Sequence, residues 1–582
     1  MRTPKLFVCT LGAFGLLSPP VIALCFVYRY AVNVPFWDEW DMVPFIVHLH
    51  TGTVSFADFW GQESSHRLVM PKIIISALEG FTHYNVIAQM YVGIGLNVIS
   101  LLTVWKLLLI TLRPSHMRLV FPLALVASAL MFSAVQYENW MWAITSLAWY
   151  VLTFCATVTA LLWALWPGRW PAILGTLLLT FVSALSLTSG ILLWGVCLLG
   201  IVLNSVASRT WPRWQHLAAW ALGAFVISAV SLVGYQTPSQ EVSVFFVHHP
   251  TQFIHFFFVC LGRPFSPIGS VEFAAGTGCV GILMFSASTC WLARHSRVSF
   301  AKLLPWFLIV FYFLATFLLI AAGRSALGLI FSESPRYTTA STLFWLGVIV
   351  VSSVSMHELS LRKSPSRRLV IPVFLGVIVM LGYGYERAYA QGVAGIRNLY
   401  ADRMMGLAEL YNYESAPEET LKVLFPKPYT LRQYARQLKS LNLGPFYGGM
   451  SESKRHIIET YASKSVSTGD GFLDWASCDR IVGWAWNNRL PNSPIRLDIY
   501  EGNTRLTTTA AWYFRKDLLK AGIGDGRHGF VYDYDIPSPL KDGRSHTIYV
   551  RISGTKRDLQ GSPVTITCAG SENRAAAKDG AP

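Results

Sequence analysis

Charged residues are scarce in this chain, and acids are scarcer than bases. Only 14% of its 582 residues are charged, with 32 Asp and Glu against 47 Lys and Arg, whereas 53% are hydrophobic. Soluble globular domains carry about 25% charged residues. The composition therefore excludes an ordinary soluble enzyme and indicates a polytopic membrane protein. The net charge of +15 is distributed over loops between apolar segments, which argues against a nucleic-acid-binding surface.

Cysteine is also scarce, and no His or Cys spacing resembles a zinc site. Two of the nine cysteines, Cys478 and Cys568, bracket the C-terminal region. They can pair as a disulfide if that region lies outside the membrane. The other seven stand singly in apolar segments, where we expect them to pack as small hydrophobic residues; these are Cys9, Cys25, Cys155, Cys197, Cys260, Cys279 and Cys290.

Long hydrophobic runs dominate the rest of the chain. A bilayer-spanning helix needs about 17 to 25 residues, and eleven runs are predicted to span. The fifth and sixth are separated only by Thr188-Ser189-Gly190, so a re-entrant pair is an alternative for them. Segment 250–267 carries His255 and Arg263, and we interpret it as a helix lying in the membrane interface. The eleven runs are 6–28, 86–111, 119–136, 142–166, 171–187, 191–207, 217–235, 269–292, 303–323, 338–356 and 369–387.

The basic residues predict how the spans are oriented. Lys and Arg gather in alternate loops, which the positive-inside rule assigns to the cytoplasm, whereas the opposite loops hold nearly all of the loop acids. An odd number of spans then places the N-terminus inside and residues 388–582 outside. A cleaved signal peptide is the alternative for the first run, although no small-x-small site precedes Asn33. The basic loop residues are Arg2, Lys5, Arg113, Arg118, Arg169, Arg209, Arg213, Arg294, Arg297, Lys302, Arg362, Lys363, Arg367 and Arg368.

The external region has a different pattern. Residues 388–446 are polar with helical periodicity, and residues 447–471 are predicted to be a linker. Six short alternating runs then predict a β-sandwich over 472–570, followed by a disordered tail over 571–582. The runs cover 480–486, 495–500, 505–511, 529–534, 546–552 and 564–568. Four aromatic residues of this module either pack in its core or, if exposed, stack on sugar rings; they are Trp484, Trp486, Trp512 and Tyr513.

The sequence PFWDEWD at 35–41 places Asp38, Glu39 and Asp41 directly after the first apolar run. Acids cost several kcal/mol when they move toward hydrocarbon, so such a cluster favours a functional role. A solvated loop is the alternative.

Other polar residues of the outward loops are predicted to lie on the same membrane face. A carboxylate base with cations nearby suits a reaction that expels an anionic group such as a lipid-linked phosphate. The alternatives are arginines that snorkel from helix ends, a polar helix start, and an aromatic interface belt. These candidate substrate-binding residues are His66, Arg67, Gln136, Glu138, Asn139, Arg324, Arg336 and Tyr337.

Several of these segments resemble the bacterial membrane glycosyltransferases of the C-type (GT-C). FWDEWD at 36–41 with LHTGTVSFADFWGQESSHRLVMPKII at 49–74 is similar to that family's first external loop. FSAVQYENWMWAI at 132–144, GRSALG at 323–328 and SPRYTTASTLFW at 334–345 are similar to its later motifs. The chain departs from the pattern at Ser64-Ser65, where the family has Asn-Glu, and Glu63 is displaced by two positions. The C-terminal module looks like β domains appended to bacterial glycan-processing enzymes.

The resemblance implies an all-α transmembrane domain over 1–387 that moves a sugar from a polyprenyl-phosphate donor to a glycan or lipid acceptor, with inversion. The reaction would take place on the periplasmic face of the bacterial cytoplasmic membrane. Asp38 would deprotonate the acceptor, with Asp41 and Glu39 as second and third candidates. Mg or Mn held by Asp38 and Glu138 is compatible with the pattern but not required. The cations that would stabilise the departing phosphate are Arg324, Arg336, His66 and Arg67.

Two other classes of protein agree with the sequence. A transporter or flippase of lipid-linked sugars also needs acids and arginines, but along a path near the bilayer midplane. A non-catalytic polysaccharide receptor or assembly factor would depend on the C-terminal module alone.

Overall fold

The computed structural model of the chain forms two compact units. The first comprises Met1–Ala31, His48–Thr82 and Val86–Ile396, and the second comprises Val32–Val47, His83–Asn85 and Arg397–Pro582. The structure describes residues 3–63, 66–235, 245–362, 367–416, 418–461, 469–478, 480–488, 494–524, 526–533, 540 and 542–568.

Long apolar helices build the first unit. Counted with the short turns that continue some of them, ten helices among the described residues are long and apolar enough to cross a membrane, which confirms the prediction of a multi-pass membrane protein. The predicted run 171–187 forms the shorter helix Trp170–Ala184, about 22 Å long against a hydrocarbon core of about 30 Å. The long helices are Thr3–Tyr30, Val86–Leu112, Met117–Met131, Ala143–Leu165, Leu193–Ser208, Trp214–Leu232, Val271–His295, Leu304–Arg324, Thr338–Leu361 and Arg367–Tyr411.

Short elements connect these helices and carry most of the candidate residues. Two strands, β1 (Gln62–Glu63) and β2 (His66–Arg67), pair antiparallel. The short helices of this unit, with one that begins in the second unit, are Val43–Thr51, Phe56–Trp60, Val69–Thr82, Tyr137–Met141, Pro250–Gly262 and Arg297–Lys302. The 3-10 turns are Ala134–Gln136, Thr188–Leu192, Arg263–Phe265, Ser325–Leu327, Leu329–Glu333 and Pro335–Tyr337.

The segment predicted to lie in the membrane interface instead packs inside the first unit. Helix Pro250–Gly262 has a buried second half, including Phe256 and Cys260. It approaches helix Val271–His295 closely because two contact positions are glycine, and a Cβ at Gly262 or Gly278 would overlap main-chain oxygens of the facing helix. Small residues allow such close packing of apolar helices. The second half of the segment is therefore covered by protein, and its predicted position in the membrane interface stays a prediction.

The helical part of the second unit differs from the predicted domain boundaries. One continuous helix, Arg367–Tyr411, runs through the boundary predicted at 387 and 388. Helix Glu452–Tyr461 occupies part of the predicted linker 447–471, and residues 462–468 lie outside the described residues, as does the predicted disordered tail 571–582. The remaining helices of this unit are Glu418–Lys422, Pro428–Ser440 and Lys516–Lys520, with the 3-10 turns Trp37–Met42 and Gly444–Phe446.

Two antiparallel four-stranded sheets form the C-terminal module. The strands are β3 Asp470–Ala476, β4 Arg480–Trp486, β5 Ile495–Glu501, β6 Thr504–Ala511, β7 Tyr513–Phe514, β8 Arg527–Asp533, β9 Ser545–Ile552 and β10 Val564–Thr567. Their orders in the two sheets are β3-β4-β8-β7 and β10-β9-β5-β6. The inner faces share one core, with Leu473 and Phe530 from the first sheet and Leu497 and Val550 from the second. This confirms the predicted β-sandwich and its six runs, while β3 and β7 were not predicted.

A disulfide between Cys478 and Cys568 closes this module, with the two Cα atoms 5.6 Å apart and a sequence separation of 90. It ties the turn after β3 to the end of β10. Cross-linking positions this far apart in sequence restricts the unfolded chain more than a short loop would. The predicted pairing is present in the structure.

Candidate functional site

The acidic segment of the second unit is a 3-10 helix, Trp37–Met42. A 3-10 helix has three residues per turn, so side chains at i and i+3 lie on one face. Asp38 and Asp41 therefore share a face, and both are exposed. Neither forms a hydrogen bond or ion pair with any residue that the structure describes. Two unengaged carboxylates on one exposed face are available to a ligand.

Glu39 has a different environment from its two neighbours. It is only 2% exposed, its carboxylate accepts a hydrogen bond from the Phe36 amide at 2.8 Å, and it lies 4.0 Å from the buried Arg403 guanidinium. Arg403 also donates to the Val34 carbonyl at 2.6 Å. The Tyr84 hydroxyl donates to the Glu39 carbonyl at 3.2 Å. These contacts give Glu39 a structural role in holding the acidic turn, rather than the predicted catalytic one.

Backbone strain and electrostatics both distinguish this turn. Trp37 has a φ of 49°, a left-handed conformation that costs a non-glycine residue about 1 to 3 kcal/mol. Its amide donates to the Leu424 carbonyl at 2.7 Å. Although the Asp41 side chain reaches solvent, partial burial raises the pKa of its carboxyl, and the Asp38 charge raises it further, against the opposing charge of Lys427. Asp41 therefore takes up a proton more readily than an ordinary aspartate does.

A second cluster lies within the first unit and is cationic. His66 on β2 is near Arg324, the last residue of helix Leu304–Arg324, and Arg336, in the turn Pro335–Tyr337. Burial, together with the charges of the two arginines, lowers the pKa of His66 to about 4. The Thr188 hydroxyl lies 2.9 Å from His66 Nδ1 and the Thr188 amide lies 3.5 Å from the same nitrogen, which favours the tautomer with the ring proton on Nε2. A neutral imidazole donor and two guanidinium groups together favour an anion.

The main chain of Arg336 is fixed from both sides by one short helix, Tyr137–Met141. Its amide donates to the Glu138 carboxylate at 3.2 Å, and its carbonyl accepts from the Asn139 side chain at 2.8 Å. The Arg336 guanidinium lies 5.6 Å from the ring centres of both Trp142 and Tyr337. Arg336 is thus positioned by Glu138, Asn139 and Tyr337. These three residues were predicted to contact the substrate directly, whereas in the structure they contact Arg336.

The Arg324 guanidinium is not engaged, in contrast to those of Arg67 and Arg263. It is half-buried at the helix end, and it forms no hydrogen bond or ion pair with the described residues. The negative end of the helix dipole stabilises a cation at this position. Arg324 can therefore bind an anion without first losing a protein partner.

Two predicted ligand residues are committed to structural contacts. The Arg67 guanidinium donates to the carbonyls of Trp60 at 2.7 Å and of Ser231 at 3.3 Å, and to that of Val233. Gln136 is fully buried, donates to the Met131 carbonyl at 2.7 Å and accepts from the Thr339 hydroxyl at 2.7 Å. The substrate-binding roles predicted for both residues therefore lack geometric support.

Buried charges that the sequence did not identify as site residues stabilise the same unit. Lys72, 1% exposed, donates to the Asp58 carbonyl at 2.8 Å and to the Glu63 carboxylate at 3.1 Å. Glu63 is thus paired with a lysine, and Ser64-Ser65 lie outside the described residues. Buried Arg263 donates to the Glu333 carbonyl at 2.7 Å. The only feature of the sequence that could have identified Lys72 and Arg263 as structurally important is the free-energy cost of placing a charge in an apolar segment.

A metal site finds no support among the described residues. They contain no group of three or more His, Cys, Asp or Glu side chains arranged to hold an ion. Of the two residues predicted as ligands, Asp38 and Glu138, the second accepts hydrogen bonds from Ser334 and from the Arg336 amide.

Comparison of the chain with protein-family models and with curated proteins finds no match. The fold itself defines the class, a multi-pass membrane protein with a C-terminal β-sandwich.

The low pKa of His66 predicts how the first unit responds to acid. Its folded pKa of about 4 lies below the usual value of about 6.5, so the unfolded chain binds the proton more tightly. Stability should therefore fall as the pH drops from about 6.5 toward 4. We expect His66→Gln to reduce this loss, as measured by thermal unfolding across that range. The exposed His248 supplies the control variant His248→Gln, which should unfold like the wild type. Equal acid sensitivity of His66→Gln and wild type would contradict the assignment.

Proposed function

We propose that the protein is a membrane glycosyltransferase that moves a sugar from a polyprenyl-phosphate donor to a glycan or lipid acceptor of the cell envelope. The observation that carries the proposal is the anion site formed by His66, Arg324 and Arg336. Hydrogen bonds with Glu138 and Asn139 hold the main chain of Arg336, and the Arg324 guanidinium forms no hydrogen bond or ion pair with the described residues. The reaction also needs a base, and the sequence pattern proposes Asp38 for it, with Asp41 second.

Each set of residues has one chemical role in this reaction. Asp38 accepts the proton of the acceptor hydroxyl, whose oxygen forms a bond to the anomeric carbon of the sugar. The bond between that carbon and the phosphate oxygen breaks on the opposite side, so the anomeric configuration inverts. The departing phosphate gains negative charge, which Arg324, Arg336 and the His66 Nε2–H stabilise. Groups aimed at developing charge stabilise the transition state more than the ground state.

The proposal includes an orientation. Basic residues gather in alternate loops between the apolar helices. With the short helix Trp170–Ala184 counted as an eleventh span, this supports a cytoplasmic N-terminus and a C-terminal β-sandwich outside the cytoplasmic membrane. The disulfide between Cys478 and Cys568 is consistent with that placement because disulfides persist in oxidising compartments.

The test is mass analysis of lipid-linked sugars and envelope glycans from cells that have or lack the protein. We expect loss of the protein to remove one sugar from an envelope glycan and to increase the polyprenyl-phosphate sugar that donates it. Membrane vesicles that contain the purified protein should then transfer that sugar. Accumulation confined to the inner leaflet, with transfer intact once the donor is supplied outside, would indicate a flippase and refute the proposal.

A further inference from the structure

Strand β3 carries an irregularity that changes which face one of its aromatic residues occupies. The register of β3 against β4 shifts between Leu473 and Trp475, and such a bulge turns two consecutive side chains toward the same face. Regular alternation would place Trp475 with Leu473 in the core. Instead Trp475 is 54% exposed and Phe472 is 40% exposed, so both lie on the outer face of the sheet, together with Asp474.

The neighbouring strands extend this outer face. Trp484 on β4 is the cross-strand partner of Phe472 and is partly exposed. On the other side of Trp484, its cross-strand partner is Gly529 on β8. Because Gly529 has no side chain, the methylene groups of Arg515 pack over it. A Cβ at this position would lie 2.9 Å from the Arg515 Cδ. The surface is therefore a row of rings with an arginine beside it.

Charged groups border the rings. The Arg515 guanidinium donates to the Asp474 carboxylate, and it donates twice to Asp517, at 3.2 and 2.6 Å. Arg515 and Asp474 retain 27% and 32% side-chain exposure. The three groups neutralise much of each other's charge while keeping lone pairs and N–H groups at the surface. They can donate to and accept from neutral hydroxyl groups.

We propose that this aromatic face, formed by Phe472, Trp475, Trp484 and the Asp474–Arg515 pair, binds the pyranose rings of a glycan. Pyranoses present flat C–H faces to aromatic rings and hydroxyl groups at their edges, which matches both parts of the surface. The proposal rests on the proposed function, because it assigns the glycan as the acceptor that the C-terminal module holds.

The size of the exposed area favours a glycan over a protein partner. Aromatic side chains bury about 150 to 250 Å² each, so the exposed fractions of Phe472 and Trp475 amount to roughly 200 Å². A stable protein interface needs about 800 Å² from each partner. The patch is too small to form the core of such an interface, but it spans enough surface for one or two sugar rings.

The test uses the full-length protein in nanodiscs and the protease-treated envelope polysaccharide of cells that lack the protein. Binding is measured by biolayer interferometry. We expect the wild type to bind, Trp475→Ala and Phe472→Ala to bind roughly tenfold more weakly, and Trp475→Phe to retain most of the affinity. Tyr429→Ala is the matched control, because Tyr429 is 72% exposed in the same unit but belongs to helix Pro428–Ser440 and not to the sheet. Thermal unfolding verifies that each variant is folded.

The outcomes separate this inference from the proposed function. If folded Trp475→Ala binds as well as the wild type, or if protease treatment abolishes binding by removing a protein ligand, the proposed site is wrong. If the wild type transfers sugar but does not bind the polysaccharide, the inference fails and the transferase proposal stands. Binding that depends on Trp475 without any sugar transfer would support the site and refute the proposed function.

Discussion

Replacing Asp38 with Asn is expected to reduce glycosyl transfer by about 10²- to 10⁴-fold, the usual contribution of a general base. The substitution keeps the size of the side chain and removes only its ability to take up a proton. Since Asp38 is exposed and forms no hydrogen bond or ion pair with the described residues, the protein should fold normally. The measurement is the initial rate of transfer by purified protein in vesicles, with thermal unfolding as the folding check.

The two neighbouring acids supply controls with different expected results. Asp41→Asn should lower the rate less than Asp38→Asn, because Asp41 is only the second candidate for the base. Glu39→Gln should lower the melting temperature, since Glu39 pairs with the buried Arg403. Full activity of a folded Asp38→Asn variant would remove Asp38 from the mechanism.

Replacing Arg336 with Gln is expected to reduce kcat/KM for the polyprenyl-phosphate donor by about 10²- to 10³-fold, the cost of removing one preorganised donor to a developing anion. Arg336 is the cation whose main chain is held by Glu138 and Asn139, so its position is defined before substrate binds. Steady-state kinetics with a soluble short-chain donor would measure the loss. Arg324→Gln should have a similar effect through the second guanidinium.

Controls for the arginine prediction separate binding from folding. Arg324→Lys keeps the charge but loses the planar fork that matches phosphate, so it should recover part of the activity. Arg67→Gln removes an arginine that donates to three carbonyl groups, and it should lower stability while the remaining folded protein keeps its KM. A donor KM and kcat unchanged in both Arg336→Gln and Arg324→Gln would exclude the anion site from the reaction.

Much of the fold could be predicted because its signals are local. A helix that crosses a membrane needs a continuous apolar run, and every predicted run corresponds to a helix in the described residues, including the short Trp170–Ala184. Alternating residues between turns likewise marked six strands of the sandwich. The sequence predicted a boundary at 387 and 388, where the composition changes from apolar to polar. Helix Arg367–Tyr411 continues through this point because the helical periodicity does not end there.

The candidate site could be predicted only as a set of residue types. Glu39 looked equivalent to Asp38 and Asp41 in a run of three acids, and only the 3-10 geometry and the distant Arg403 separate it from them. Arg67 and Arg336 likewise looked equivalent as cations of outward loops. In the structure, the Arg67 guanidinium donates to main-chain carbonyl groups, whereas Arg336 lies near His66.

The sequence by itself determined that this is a multi-pass membrane protein with a C-terminal β-sandwich, because the free energy of burying apolar residues depends on their local spacing along the chain. The tertiary structure alone decided which charges are available for chemistry. Pairing partners such as Glu39 and Arg403 are far apart in sequence, and the β3 bulge moves Trp475 from the core to the surface by a shift of one residue. Neither effect leaves a periodic signal, since both arise from packing between segments that only the folded chain brings together.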